Sequence, residues 1–155
     1  MALDKNTLGL AAEFAVASEL CRRNIYAQLT LGTRKRTDLL VETGRAMLRI
    51  QVKGKQGIEW PACKGIKGKE MILVFVDFHN KKETERPDFY ILMEQDWKRF
   101  VKNTIKPMMW PGDQIIEGYI PKWKDGYIGT GIKPHMIREH LEKWDKIKRK
   151  LKSRW

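Results

Sequence analysis

The sequence has few cysteines and no long apolar run. Its two cysteines, Cys21 and Cys63, lack the paired spacing of zinc-binding motifs, and no histidine stands at zinc-ligand spacing from either, so a structural zinc site is not expected. No stretch approaches the ~18 apolar residues of a membrane-spanning helix. Glu13 interrupts the apolar segment 8–18 and Asp4 precedes it, so no export signal is expected. Two free thiols fit a reducing compartment, and we predict a cytoplasmic, intracellular protein without membrane contact.

Acidic residues are scarce relative to basic ones. The 155-residue chain has 31 Lys and Arg against 19 Asp and Glu, a formal net charge of +12 and an isoelectric point near 9.8. This imbalance favours a polyanionic partner, of which nucleic acid is the first candidate. Hydrophobic residues make up 42% of the chain, which suffices for a packed interior. The length predicts one domain over residues 1–155.

The apolar periodicity predicts helices at both ends and strands between them. A first helix is expected from Asn6 to about Asn24, with Asn6 or Thr7 as its N-cap. Strands are predicted at residues 25–31, 37–43, 47–53, 71–78 and 88–93, and a short helix at 95–102. Loops are predicted at 54–69, an irregular segment at about 104–133, and a basic C-terminal helix at about 134–152. This order predicts an α/β fold with a mixed β-sheet flanked by helices.

The residues around Gly44 determine a β-hairpin register. A two-residue turn with Gly44 first and Arg45 second matches a type II′ hairpin. The resulting register places three cross-strand pairs on one face, because strand side chains alternate; these are Asp38 with Gln51, Leu40 with Arg49, and Arg36 with Lys53. A carboxylate, an amide and an ammonium group, from Asp38, Gln51 and Lys53, therefore converge. A solvated hairpin face would explain them equally if Leu40 did not interrupt the polar row.

Glu13 is a carboxylate on an otherwise apolar stripe of the first helix. An unpaired carboxylate in such a place is costly. A buried salt bridge, a bound divalent cation or an active-site lysine would each satisfy it. Glu19 and Glu42 are weaker candidates, because Glu19 fits a solvated helix surface and Glu42 lies at the turn end of the hairpin.

Three segments together resemble a known family. Residues 9–13 of the first helix, the sequence Thr-Asp-Leu-Leu-Val at 37–41 and the sequence Arg-Ile-Gln-Val-Lys at 49–53 are similar to the PD-(D/E)XK nuclease superfamily. The resemblance implies a restriction-endonuclease-like fold. Gln51 departs from the usual Asp or Glu, although certain homing-endonuclease relatives carry Gln there. Thr37 stands where the family has proline.

The resemblance implies a role for each site residue. Asp38 would bind metal, Glu13 would complete the site, and Lys53 would orient the attacking water or stabilise the phosphorane charge. Phosphodiester hydrolysis needs a hard cation held by oxygen ligands, so Mg²⁺ or Mn²⁺ would be bound by Asp38, Gln51 and Glu13, with help from the Val52 carbonyl. The implied activity is that of a metal-dependent DNA endonuclease. The alternatives are a catalytically weak or inactive DNA-binding protein of the same fold, because Gln51 weakens the site, and an unrelated basic RNA-binding protein.

A basic loop follows the predicted site. Four lysines are expected to contact the phosphate backbone of DNA, namely Lys55, Lys64, Lys67 and Lys69. Trp60 can stack on a base but is more typical of a hydrophobic cluster, and the tryptophans at 110, 123, 144 and 155 are interpreted as packing residues. Many nucleases of this fold act as dimers, so a homodimer is compatible with the sequence.

Overall fold

The computed structural model of the protein describes residues 2–30, 37–44 and 46–153. Helices and strands follow one another in the order expected of an α/β fold. The regular elements are α1 (Lys5–Arg22), β1 (Ala27–Leu29), β2 (Leu39–Glu42), β3 (Met47–Lys55), β4 (Trp60–Cys63), β5 (Met71–Asp77), β6 (Asp88–Met93), α2 (Glu94–Phe100), β7 (Gln114–Ile116), β8 (Ile120–Lys122), β9 (Thr130–Ile132) and α3 (Asp145–Lys152).

The main sheet has five strands in the order β1-β2-β3-β5-β6. The pair β3–β5 is parallel and the other pairs are antiparallel, so the sheet is mixed. All seven residues of β5 are buried, as its continuous apolar run predicts for a central strand covered on both faces. The predicted α/β fold with a mixed sheet flanked by helices is confirmed.

The first helix packs unusually close to the sheet. It begins one residue earlier than predicted, because the Asp4 carboxylate, rather than Asn6 or Thr7, caps it by accepting the N–H groups of Asn6 and Thr7 at 3.0 Å. A Cβ atom built on Gly54 of β3 would lie 2.8 Å from the Ala12 Cβ. The missing side chain of Gly54 therefore lets α1 approach β3, which brings the middle of the helix, next to Glu13, close to the sheet.

Two hydrophobic clusters cover the two faces of the sheet. The first, here the helix-side cluster, joins α1 to the sheet and includes Ala12, Val16, Leu39, Ile50, Val52, Trp144 and Ile147. The second, here the loop-side cluster, lies on the opposite face and includes Trp60, Ile66, Phe75, Trp97, Ile132 and Ile137. Trp60 is 1% exposed, which confirms its interpretation as a packing residue.

The prediction of one C-terminal helix at 134–152 is wrong. A 3-10 helix covers Pro134–His140, and α3 covers Asp145–Lys152. Between them Leu141 bridges Tyr90, and the N–H of Glu142 donates to the Phe89 carbonyl, so the chain passes the edge of the sheet. The apolar residues on either side of this passage belong to different clusters and face opposite sides of the sheet. A straight helix cannot reach both faces.

The two segments without predicted structure contain short strands. Strand β4 lies in the 54–69 loop and pairs with β9, and β7 pairs with β8 in a hairpin. Trp110 is 73% exposed, so its interpretation as a packing residue is wrong, whereas Trp144 is 3% exposed and packs as expected. Trp155 lies outside the described residues. No helix in the described ranges is long and apolar enough to cross a membrane.

Candidate active site

The predicted hairpin register is confirmed. Leu39 is paired with Ile50 and Leu40 with Arg49, and the N–H of Thr43 donates to the Ala46 carbonyl at 2.9 Å across a two-residue turn. The positions predicted for Arg45 in the turn and for Arg36 opposite Lys53 fall outside the described residues. Gln51 and Lys53 therefore share a face of β3 with Arg49, as alternation along the strand requires.

Asp38 lies where the pairing of β2 with β3 begins. Its N–H donates to the Ile50 carbonyl at 2.8 Å, and its carboxylate accepts the Val52 N–H at 2.7 Å. The carboxylate thus takes the place of a backbone acceptor at the edge of β3. The N–H and C=O of one residue in an extended strand point to the same side, so the Val52 carbonyl faces this edge too.

The carboxyl groups of Glu13 and Asp38 meet although they come from different elements. The pKa of Glu13 is raised to about 7. Burial is the main cause, and the negative charge of Asp38 and a hydrogen bond between the two carboxyl groups add to it. The Glu13 carboxyl group therefore keeps its proton to a higher pH than an exposed glutamate does. The structure thus brings Glu13 to Asp38, and the described ion pairs include none to Glu13. The catalytic and metal-binding roles of the two residues stay predictions.

Gln51 contributes a buried amide to the face beside this edge. It is 9% exposed, and its Oε1 has no hydrogen-bond partner in the described part of the chain. Lys53, two residues along, is half-buried and close enough to Cys63 that its charge lowers the pKa of that thiol, which burial raises to about 12. Its ammonium group therefore acts on the loop-side face of the strand.

The donor set at this edge consists of oxygen atoms. Here the carboxyl groups of Glu13 and Asp38 meet, the Val52 carbonyl faces the same side of β3, and the Gln51 amide lies on the adjoining face of that strand. Across residues 2–30, 37–44 and 46–153, no group of three or more His, Cys, Asp or Glu side chains is placed to hold a metal ion. The site has two carboxylates where the commoner form of the resembled motif would supply three.

Lys55 does not belong to the predicted DNA-binding loop surface. Its side chain is buried, and its ammonium donates to Asp77 at 2.6 Å and to the Gly57 carbonyl at 2.9 Å. It also lies over the Trp60 ring, 4.9 Å from the centroid. Because its hydrogen bonds are directed into the protein, Lys55 has a structural role. Sequence alone could not reveal this, because Asp77 is 22 residues away.

Glu19 is likewise not on a solvated helix surface, as its position in the sequence suggested. It is 4% exposed, and three arginines surround it, including Arg86 from the turn before β6. This cluster ties α1 to the segment that precedes β6 and to Glu142, so its role is structural.

The remaining lysines of the loop, Lys64, Lys67 and Lys69, are exposed. Lys64 and Lys67 line a cavity of about 420 Å³ together with Gln51. Three further charged residues line this cavity and were not among the predicted site residues, namely Arg49, Glu70 and Glu117. Arg49 could have been found from the hairpin register, whereas Glu117 could not, because it comes from the distant β7–β8 hairpin.

Comparisons with known proteins add little to this geometry. The sequence matches no protein-family model and no curated protein sequence. Among solved structures, the chain is similar to a bacterial homing endonuclease, I-Ssp6803I, with a TM-score of 0.45 and 15% sequence identity over 59% of this chain and 70% of that one. A similarity this distant carries no argument about activity, so the functional reasoning rests on the side chains themselves.

Proposed function

We propose that this protein is a metal-dependent endonuclease that hydrolyses phosphodiester bonds in DNA. One observation carries the proposal: the carboxyl group of Glu13 on α1 meets that of Asp38, just before β2, and burial together with the charge of Asp38 raises the pKa of Glu13 to about 7. Like charges are brought together at a cost, and such arrangements are typical of functional sites. The resemblance of residues 9–13, 37–41 and 49–53 to nucleases and the net charge of +12 support the same conclusion.

The residues at this edge fit a hard divalent cation. Mg²⁺ and Mn²⁺ prefer oxygen ligands, and Asp38, Glu13, the Val52 carbonyl and the Gln51 amide supply only oxygen. The Gln51 Oε1 is buried without a hydrogen-bond partner among the described residues, and a cation is one way to satisfy such an atom. Positive charge between Glu13 and Asp38 would also replace the proton that Glu13 keeps because of its raised pKa.

Asp38 and Glu13 would hold the cation, which would polarise the phosphate and lower the pKa of a water molecule so that it can act as the nucleophile at neutral pH. The chain supplies the remaining parts. The Val52 N–H holds the Asp38 carboxylate in place through its 2.7 Å hydrogen bond. Lys53 places positive charge beside the phosphate, where negative charge increases as the reaction proceeds. Lys64 and Lys69, both exposed, bind neighbouring phosphates.

The second candidate is a DNA-binding protein of the same fold with little or no catalytic activity. It is favoured by the presence of Gln51, because an amide lacks the negative charge that a third carboxylate would supply to a cation. Accidental resemblance in an RNA-binding protein would have placed Glu13 far from Asp38. The contact between the two carboxyl groups argues against that alternative.

The experiment is a supercoiled-plasmid cleavage assay with Mg²⁺ or Mn²⁺, performed alongside DNA binding in EDTA. We expect metal-dependent nicking by the wild type and a loss of roughly 100-fold or more in Asp38→Asn and Lys53→Met, because each removes a group that acts in the transition state. Asp125→Asn and Lys82→Met make the same chemical changes at exposed positions and are expected to cleave like the wild type.

The outcomes separate the two candidates. DNA binding without cleavage in the wild type at any metal concentration would favour the inactive DNA-binding protein. Cleavage that survives in Asp38→Asn would overturn the assigned site. A Gln51→Glu variant adds the third carboxylate, and we expect it to reach half-maximal cleavage at a lower Mg²⁺ concentration. An unchanged Mg²⁺ requirement would show that Gln51 is not a ligand.

A further inference from the structure

The cavity of about 420 Å³ next to the candidate site is lined chiefly by three separate parts of the chain, with Thr37 beside them. Its floor is formed by Arg49 and Gln51 of β3, one wall by the loop 64–67, and the opposite wall by the turn between β7 and β8, with Glu117 and Gly118. This volume lies within the range of pockets that hold small organic ligands.

The cavity is held in shape by one tryptophan. A Cβ atom on Gly65 would lie 1.9 Å from the Trp97 ring, and Gly65 has a φ of +72°, so only glycine fits between the loop and this indole. The same indole donates its Nε1–H to the Tyr119 carbonyl at 3.1 Å. Trp97, which is 0% exposed, therefore anchors both walls of the cavity.

The lining combines three kinds of chemistry. Gln51 supplies a buried amide that can donate and accept hydrogen bonds. Ile66 and Met71 supply apolar surface, and Arg49, Lys64 and Lys67 supply positive charge against the carboxylates of Glu70 and Glu117. A nucleotide has the matching groups, namely a base with a polar edge and apolar faces, and a phosphate.

An ion pair spans the two walls of the cavity. The Lys67 ammonium lies 2.7 Å from a carboxylate oxygen of Glu117, and the two side chains are 64% and 88% exposed. Exposed ion pairs contribute little to stability, so an incoming phosphate can take the place of the Glu117 carboxylate. Glu117 is thus a competitor for the group that would bind the phosphate.

We propose that this cavity binds a single nucleotide of a nucleic-acid strand, with the base against Gln51 and the phosphate at Lys67. A base reaches such a cavity only when it leaves its stack, as in enzymes that extrude a nucleotide. This proposal rests on the proposed function, which supplies the nucleic-acid strand. Gln51 belongs to both the candidate active site and the cavity. It assigns Lys67 and Glu117 to nucleotide affinity rather than to the reaction.

The test is a titration of ¹⁵N-labelled protein with thymidine 5′-monophosphate or deoxyadenosine 5′-monophosphate in EDTA, followed by NMR. We expect shifts at the amides of Gly65 and Gly118. Glu117→Gln is expected to tighten binding roughly two- to fivefold, because it frees Lys67 from its ion pair, and Lys67→Gln to weaken it about tenfold. Glu83→Gln and Lys82→Gln, which make the same charge changes at exposed positions elsewhere, are controls expected to bind like the wild type.

Each outcome is decisive for the cavity. The absence of shifts at Gly65 and Gly118 at 10 mM nucleotide, a rough upper limit for a specific weak site, would overturn the proposal. So would equal tightening by Glu117→Gln and Glu83→Gln, or equal affinity for inorganic phosphate, which would remove any role for the base. Plasmid cleavage without nucleotide binding would refute the cavity alone. Nucleotide binding that persists in Asp38→Asn without any wild-type cleavage would refute the nuclease alone.

Discussion

Two aspartates flank strand β3, and their surroundings are opposite. Asp77 on β5 is paired in register with Lys55, whose ammonium lies 2.6 Å from its carboxylate in a buried ion pair under Trp60. Asp38 at the other edge meets a second carboxyl group, that of Glu13, and the pKa of Glu13 rises to about 7. One aspartate is neutralised by the fold, and the other is left with excess negative charge.

This difference separates a structural site from a candidate functional one. Attraction and hydrogen bonds offset the cost of burying Lys55 and Asp77, so nothing further is required there. At Asp38 the fold brings like charges together, and a proton or a cation is needed to complete the arrangement. Burial of a carboxyl group beside β3 therefore does not identify a functional site. The sign of the charge next to that carboxyl group does.

Breaking the Lys55–Asp77 ion pair is expected to have the largest effect on stability. Asp77→Ala leaves the Lys55 ammonium buried without its partner and should lower the free energy of unfolding by roughly 3–5 kcal/mol. Asp38→Ala removes a hydrogen bond to Val52 but also relieves repulsion at Glu13, so its cost should be below about 1 kcal/mol. Urea unfolding monitored by tryptophan fluorescence measures both.

A double variant serves as the control for this pair. Lys55→Met with Asp77→Leu removes both charges and is expected to restore most of the lost stability, because no unpaired charge remains. Equal destabilisation by Asp77→Ala and Asp38→Ala would contradict the distinction between the two edges.

The close approach of α1 to β3 offers a way to separate the carboxyl groups of Glu13 and Asp38. In Gly54→Ala the new Cβ would meet the Ala12 Cβ at 2.8 Å, so the helix must shift, at a cost of roughly 1–3 kcal/mol. We expect the pKa of Glu13 to fall as the helix moves away from Asp38, as measured by NMR titration. Gly57→Ala is the control, because nothing lies within 4 Å of the corresponding Cβ position. A stable Gly54→Ala protein with the Glu13 pKa still near 7 would show that this contact does not position the helix.

The pH dependence of stability gives the smallest effect, and it directly tests the interaction of Glu13 with Asp38. The pKa of Glu13 is raised from 4.5 to about 7 on folding, so the folded chain holds an extra proton between these values. The contribution of Glu13 to the free energy of unfolding therefore falls as pH rises from about 4.5 to 7, and it is fully lost above pH 7. Between these pH values the free energy of unfolding of the wild type should fall by about 1 kcal/mol more than that of Glu13→Gln, after screening by solvent is allowed for. Thermal unfolding of both proteins across this pH range measures the difference.

Added Mg²⁺ should reverse this loss of stability if the cation takes the place of the Glu13 proton. At pH 8 we expect Mg²⁺ to raise the melting temperature of the wild type more than that of Glu13→Gln. An identical pH profile for the two proteins would mean that the carboxyl groups of Glu13 and Asp38 do not interact in solution.

The local part of the candidate site is predictable from the sequence. The two-residue turn at Gly44 sets the register, and the register places Gln51, Lys53 and Arg49 on one face of β3. The apolar stripe of α1 points Glu13 toward the sheet. Each of these inferences needs only the periodicity of one helix or one hairpin, because the contacts that decide them are close in sequence.

The remaining features depend on contacts between distant parts of the chain. Lys55 looks like any other lysine of a basic loop until Asp77 on the neighbouring parallel strand is placed beside it. The apolar stripe after Pro134 fits one helix equally well, and only the position of the sheet edge divides it between two faces. The cavity requires Glu117 and Gly118 to meet the loop 64–67.

The sequence by itself thus determined the pleat, the register and the order of elements, because these follow from neighbours along the chain. Tertiary structure decided which charges are neutralised, which remain exposed and where a ligand-sized space lies. Electrostatic and packing energies depend on distance in space, and a parallel strand pair or a distant hairpin brings together groups whose separation along the chain carries no information about that distance.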